Sequence, residues 1–283
     1  MRTLGLLGLV TGILVLTAVA SPWVAWGLAR VAGGEFSFPR VYDRVFEVLL
    51  VVGVAAAWRR LDLGTASEIG FRRQGWGRAF GRGIGAGLLG LAAGFAACAL
   101  AGALVPALRF SPAKTVWKGL LGLGAAGAIG VSEEVLFRGV LLRRLRHDAG
   151  DVLAVAVTTA VYAALHAVRT RGGSGPVHLG SGVTQTLGIF APLAAGAVLP
   201  QLAGLVLLGL LLALARLRSG ALWLSIGIHT GFVAGFRVGR LFVDLAATPA
   251  WLVGSGWPPL VGGAAGWLAV AVAARAALPR ARA

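Results

Sequence analysis

The chain has 283 residues, 58% of them hydrophobic and 13% charged, with 44 glycines and a mean hydropathy of +0.85. Those proportions exclude an ordinary water-soluble globule and describe a polytopic membrane protein. The net charge of +16 comes from 26 Lys and Arg against 10 Asp and Glu. The arginines sit at the ends of apolar runs, where they anchor and orient helices, so the basicity does not point to nucleic acid.

Residues 3–29 carry no charge and predict a first membrane span. Ala18-Val19-Ala20 resembles a signal-peptidase site, but the apolar run continues to Leu28, so an uncleaved span is expected. Further spans are predicted over 41–58, 83–108, 116–142, 152–168, 190–215, 219–236 and 257–277. The fold class is therefore all-α, a bundle of about eight transmembrane helices with residues 1–283 as a single membrane domain. The substantial polar loop, 59–82, mixes Gly, Arg and aromatic residues and predicts an interfacial segment. The uncharged stretch 172–215 holds Pro192 and Pro200, which predicts a membrane-lying or re-entrant piece before its helix. A lone Cys98 in an apolar run leaves no disulfide, no CxxC pair and no thiolate metal site.

With eight spans, one set of faces collects Arg2, the arginines between Arg59 and Arg82, then Arg143, Arg144, Arg146, Arg216, Arg218, Arg275, Arg280 and Arg282. The opposite faces hold fewer, Arg169 and Arg171 among them. By the positive-inside rule the protein is a multi-pass protein of the cytoplasmic membrane with both termini in the cytoplasm.

Charged groups inside a bilayer cost about 2.5–3.5 kcal/mol each on insertion scales, so carboxylates there call for partners and for a purpose. One dense group stands out, Ser132-Glu133-Glu134-Val135-Leu136-Phe137-Arg138-Gly139 in the fourth span. On a helix Glu134 and Arg138 are i and i+4, stacked on one face with the acid first, so Glu134 is neutralised locally. Glu133 lies about 100° round the helix and is free to point elsewhere, the situation of a general base. The plainer alternative is that both glutamates only hold Arg138 and neighbouring helices together. His166, one turn after Tyr162, and His229 sit at comparable depth on two other spans. Each alone reads as a hydrogen-bonded packing residue; with Glu133 they make a glutamate, histidine, histidine set on three helices. Gly119, Gly122, Gly127 and Gly130 thin the approach to the glutamates and permit close helix contact or water access.

These residues resemble the CAAX protease and bacteriocin-processing family of intramembrane endopeptidases, whose motifs are EExxxR, FxxxH and HxxxN on successive helices. Glu133-Glu134-x-x-x-Arg138 matches the first. His166 matches the second with Tyr162 in place of Phe. His229 matches the third, with Val233 where the family has Asn. The likeness covers 120–236, the catalytic core it implies. It implies Glu133 and His166 activating water to attack a peptide carbonyl, with Glu134 and Arg138 completing the catalytic set. His229 would stabilise the oxyanion, a task the family's Asn shares. In place of that Asn, a backbone amide or the Ser225 hydroxyl could donate.

The partners expected are a peptide or protein substrate and the lipid bilayer. Prenyl-protein maturation, bacteriocin leader removal or immunity, and trimming of sorting tails all fit the resemblance. Dense Arg, Ala and Gly with only Lys114 and Lys118 suggests a GC-rich prokaryotic genome and disfavours prenylated substrates. No cofactor is expected. The alternative is Zn²⁺ held by Glu133, His166 and His229 with a water in the open position, against which no HExxH helix is present. Two other functions compete: a non-catalytic peptide- or partner-binding protein of the same fold, favoured by Val233, and a proton-coupled transporter, disfavoured because no inverted repeat is evident.

Overall fold

The structure is a computed structural model that describes residues 2–33, 36–167, 176–189, 191, 198–255 and 259–278. In chain order its helices are α1 (Arg2–Ala32), α2 (Phe38–Ala57), α3 (Ala66–Ile69), α4 (Trp76–Leu100), α5 (Pro112–Glu134), a π-helix (Val135–Leu141), α6 (Leu142–Ala167), α7 (Ser181–Gly188), α8 (Leu199–Ser219), α9 (Trp223–Gly239), α10 (Ala250–Val253) and α11 (Ala264–Ala277). Two short strands, β1 (Leu104–Pro106) and β2 (Val243–Leu245), complete the set. A helix lies over each predicted span. Pro192, Arg169, Arg171, Arg280 and Arg282 fall outside the described residues.

Among the described residues, four helical stretches are long and apolar enough to cross a bilayer: Gly5–Ala32, Trp76–Leu100, Pro112–His166 and Leu199–Ser219. The third has 55 residues, which as one straight helix would reach about 80 Å, far beyond a hydrocarbon core of about 30 Å. Gly150 breaks it, with φ 79° and ψ 171°. The outward side chains of these helices are apolar, with Val15, Trp117 and Leu120 more than half exposed, as lipid-facing surfaces require. α2 carries Arg40, Asp43, Arg44 and Glu47 in its first half, and α9 and α11 span 17 and 14 residues.

One expectation about local structure needs correcting. The helix predicted over 83–108 starts earlier, at Trp76, and stops at Leu100. Gly102 turns the chain with φ +68°, and Pro106 and Pro112 oppose any continuation. The chain there forms β1, which pairs antiparallel with β2 in the register Leu104↔Leu245, Val105↔Asp244, Pro106↔Val243. Asp244 on that ribbon is shared by Arg109 and by Arg240, the latter at 2.9 Å. The polar stretch 59–82 is likewise structured. Thr65 and Glu68 form a reciprocal capping box that starts α3, and Gly70 ends it with φ +113°. The Leu222 amide then donates to the Gly70 carbonyl at 2.9 Å and the Trp223 indole to the Arg72 carbonyl at 2.8 Å, fixing this loop to the corner between α8 and α9.

The chain divides into two compact units. The first comprises Met1–Gly64 and His166–Gly196. In it α7 lies on α1 so closely that a Cβ on Gly182 would sit 1.9 Å from the Ala18 carbonyl oxygen, and the Tyr42 and Thr186 hydroxyls meet at 2.7 Å. The second comprises Thr65–Leu165 and Ala197–Ala283. Helices in lipid gain little from hydrophobic exclusion and associate through close contact of small residues. α4 and α9 do this with paired glycines: a Cβ on Gly83 or Gly87 would come within 2.5 Å of the Leu224 or Ile228 carbonyl oxygen. Reciprocally, one on Gly227 or Gly231 would meet the Phe80 or Ile84 carbonyl at 2.3 or 2.6 Å. Further along α4, Gly90 and Gly94 are pressed against the Ala269 and Ala265 carbonyls of α11 in the same way. Arg82 adds a polar tie, donating to the Ala277 carbonyl at the end of α11.

Of the four glycines expected to thin the approach to the glutamates, Gly130 alone is tight, its Cβ position lying 2.3 Å from the Thr230 hydroxyl of α9. Gly119 and Gly122 have ordinary contacts and Gly127 faces open space. The difference yields a prediction. Gly231→Ala must push α4 and α9 apart and is expected to cost about 1–3 kcal/mol, whereas Gly124→Ala, with nothing within 4 Å, should leave stability unchanged or raise it slightly. Thermal unfolding of the two variants in detergent measures the contrast.

Candidate active site

α5 carries the two glutamates at its C-terminal end and then widens into the π-helix, whose closing bond runs from the Leu142 amide back five residues to the Phe137 carbonyl. Phe137, Arg138, Gly139 and Val140 within it are four consecutive buried residues. Arg138 is wholly enclosed.

Its partners account for that enclosure. Arg138 Nη1 donates to Glu134 Oε1 at 2.8 Å, and neither side chain has any exposed surface. Nη2 donates to the backbone carbonyl of Gly209 on α8 at 3.0 Å. The guanidinium lies over the Tyr162 ring, 4.5 Å from its centroid, with Phe137 edge-on to Tyr162 at 5.3 Å. Gly209 makes room for this stack, since a Cβ there would stand 3.1 Å from Tyr162. A buried ion pair gains most when its geometry is good and further contacts engage the ions; Arg138 draws such contacts from three helices, while its Nε and Glu134 Oε2 have no hydrogen-bond partner.

His229 joins the same group from α9. Its Nδ1 lies 3.1 Å from Glu134 Oε1 and its Nε2 lies 3.7 Å from Glu133 Oε2. An ionised carboxylate can only accept, so with Glu134 paired to Arg138 the proton on His229 belongs on Nδ1, and Nε2 is turned toward Glu133. The two glutamates differ in access. The Glu133 side chain is 28% exposed and the Glu134 side chain 0%. The 3.7 Å between Glu133 and His229 is too long for a direct hydrogen bond and suits a group that bridges both.

Four of the five predicted site residues, Glu133, Glu134, Arg138 and His229, thus come together. His166 stands one turn after Tyr162 near the end of α6, half-buried, and is counted with the N-terminal unit. Tyr162, in the place of the expected Phe, is buried and stacks edge-on to His229 at 6.2 Å as well as to Phe137. Of the substitutes weighed for the missing Asn, the Ser225 hydroxyl is buried and donates to the Leu222 carbonyl of its own helix at 3.0 Å. Val233 is partly buried. Ser132, next to the glutamates, is exposed and donates to the Ile129 carbonyl. Among the described residues no group of three or more His, Cys, Asp and Glu is arranged to hold a metal ion.

Sequence reasoning missed three features: the π turn, the Gly209 carbonyl and the bond from His229 to Glu134. The first two involve backbone geometry, which residue type does not announce. The third had a signal, because a buried histidine needs an acceptor and Glu134 was the acid within the motif.

The arrangement defines a class: a helical membrane protein with an acid, arginine and histidine cluster enclosed by its helices. Residues 115–235 match the model of the family described as Type II CAAX prenyl endopeptidase Rce1-like. Over that stretch the chain is similar to the CAAX proteases, the family to which the three motifs point, and all five site residues fall within it. No curated protein and no solved structure matches the chain.

Removing one partner of the buried pair strands the other. Arg138→Met and Glu134→Gln are each expected to lower stability by about 3–5 kcal/mol, read as a fall in detergent melting temperature and in yield of folded protein. Stability equal to the wild type in both variants would show that the pair carries no structural load.

Proposed function

We propose that the protein is an intramembrane endopeptidase that hydrolyses a peptide bond at or near the membrane surface, a metal-free glutamic peptidase. The observation that carries this reading is the coincidence of the 115–235 family match with the cluster of buried Glu134, Arg138 and His229 beside the partly exposed Glu133. Glu133 is the general base. It takes a proton from water with the help of His166, the resulting hydroxide adds to the carbonyl carbon, and the C–N bond breaks as Glu133 returns the proton to the leaving amine. His229, its Nδ1–H held by Glu134, takes a second proton on Nε2 from solvent and donates from there to the oxyanion, the charged ring being supported by the carboxylate on its far side. Glu134 and Arg138 position that histidine and do not touch substrate.

In this reading the eight helices over the predicted spans each cross the bilayer, the termini lie in the cytoplasm and the protein resides in the cell membrane. The broken 55-residue stretch supports counting two crossings there. The substrate is a protein or peptide whose cleavage site reaches the glutamates from the bilayer or its surface.

Glu133→Gln keeps the shape of the side chain but cannot accept the proton, and is expected to abolish cleavage while leaving insertion and melting temperature intact. Terminal-peptide mass spectrometry of membrane and secreted proteins, compared between wild type and this variant, identifies the substrate at the same time; identical termini in both would overturn the assigned base. His166→Ala and His229→Ala should each lower turnover by a factor on the order of 10² or more.

A metal-free mechanism also predicts indifference to chelators. Turnover should survive a strong chelator, and plasma mass spectrometry should find no stoichiometric zinc in active protein. About one zinc per chain with chelator-sensitive activity would favour the metal-bound water instead. Val233→Asn should be tolerated, and should raise turnover if its amide reaches the substrate oxygen.

A further inference from the structure

Guanidinium groups crowd one corner of the C-terminal unit, away from the cluster just described. Arg216, in the last turn of α8, lies over Gly70 so closely that a Cβ on that residue would stand 3.0 Å from its Cζ, Nε and Nη2 atoms. Arg72 answers from the loop side, its Nη1 lying 3.3 Å from the Cβ position of Gly220. Both glycines are left-handed, φ +113° and +66°, so two charged side chains occupy space that other residues would fill. The Leu222 and Trp223 bonds to the 70–72 backbone lock this crossing in place. Arg143 and Arg146 stand within electrostatic range of Arg216 as well.

The acids nearby are already engaged. Glu68 pairs with Arg143 at 3.3 Å, and Asp151 takes Arg146 at 2.7 Å. Among the described residues no carboxylate pairs with Arg72 or Arg216. Arg216 makes one long hydrogen bond, Nη2 to the Ile69 carbonyl at 3.4 Å, and its buried Nε meets no partner. The C-terminal dipole of α8 offsets about half an elementary charge, against two guanidinium groups. A half-buried cation in the field of a second one is unfavourable unless an anion joins them, and the planar guanidinium fork matches an oxyanion of the phosphate type. The corner also has the chemistry of a membrane surface. Trp223 packs against Phe71 at 5.0 Å and Trp76 at 5.4 Å, amphipathic rings of the kind that sit at headgroup level.

We propose that Arg72 and Arg216, in the field of Arg143 and Arg146, form a binding site for the phosphate of an anionic phospholipid headgroup. Seven residues of α8 separate Arg216 from Gly209, two turns and about 10 Å along the axis, so the lipid would sit on the same face of α8 as the Arg138 contact and nearer its end.

The test uses the full-length protein in neutral detergent, titrated in parallel with phosphatidylglycerol, phosphatidylcholine and inorganic phosphate. Thermal unfolding reports binding and native mass spectrometry counts bound molecules. Phosphatidylglycerol should raise the melting temperature saturably with one lipid retained per chain, and the other two should not. Arg72→Gln and Arg216→Gln should each weaken that binding by about fivefold, while Arg59→Gln leaves it unchanged. Arg72 is exposed, so its variant is informative even if Arg216→Gln fails to fold. Stabilisation by inorganic phosphate alone, lost in the Arg72 variant, would keep the oxyanion site and overturn the lipid as its source. Equal phosphatidylglycerol affinity in the wild type and the Arg72 variant, or no saturable binding of any of the three, would overturn the site itself.

Discussion

The constraint on which the site depends is that a guanidinium with no exposed surface draws its partners from several elements at once. Arg138 could not be buried in a membrane protein with only Glu134 beside it, because one carboxylate leaves most of the five N–H donors unanswered. The structure adds a carbonyl of α8 and an aromatic face of α6 and leaves Nε without a hydrogen bond. The cation therefore ties the segment carrying both glutamates to two other helices. The carboxylate it holds in turn holds the histidine of a third. Glu133 is left as the partly accessible acid beside a histidine whose orientation is decided elsewhere.

Such a cluster needs a scaffold that keeps four helices at fixed spacing without a hydrophobic driving force. The paired glycines fix α9 on α4, backbone against backbone, and Gly130 brings α5 to α9 just before the glutamates. His229 lies between Gly227 and Gly231 in sequence, so the turn of α9 that carries it is the turn most tightly fixed against α4. Positioning at the sub-ångström level, which acid–base chemistry requires, follows from contacts that offer no rotamer freedom.

What the sequence made legible was chemistry at fixed helical spacing. Glu134 and Arg138 at i and i+4, Glu133 rotated away, and His229 at membrane depth on a later helix could be read from residue type and period alone. The helices over the predicted spans were legible for the same reason, since apolar length is a direct consequence of bilayer thickness. The misreadings were of backbone. Nothing in Val135-Leu136-Phe137-Arg138-Gly139-Val140-Leu141 distinguishes a π-helix from an α-helix by residue type or period. The β1–β2 ribbon pairs segments about 140 residues apart and offers only three residues on each side, too few for a period to show. The glycines of α5 were read as permitting close helix contact or water access, and Gly130 makes such a contact, whereas the longer tight stripe lies on α4 and α9, where the partner's sequence decides it.

The π turn also stores one residue more than an α-helix of the same rise would contain. Everything on the C-terminal side of Leu141 is consequently displaced by about 100° relative to a regular continuation of α5. The register of Glu133 and Glu134 is thereby uncoupled from that of the basic segment beginning at Leu142. An alignment of this chain with a homologue whose helix is regular here would need a one-residue gap between the motif and the arginines that follow. In evolutionary terms the motif and its flanking helix can be tuned separately: a single insertion or deletion absorbed at residues 135–141 would turn one half of the span against its neighbours while leaving the other half in place.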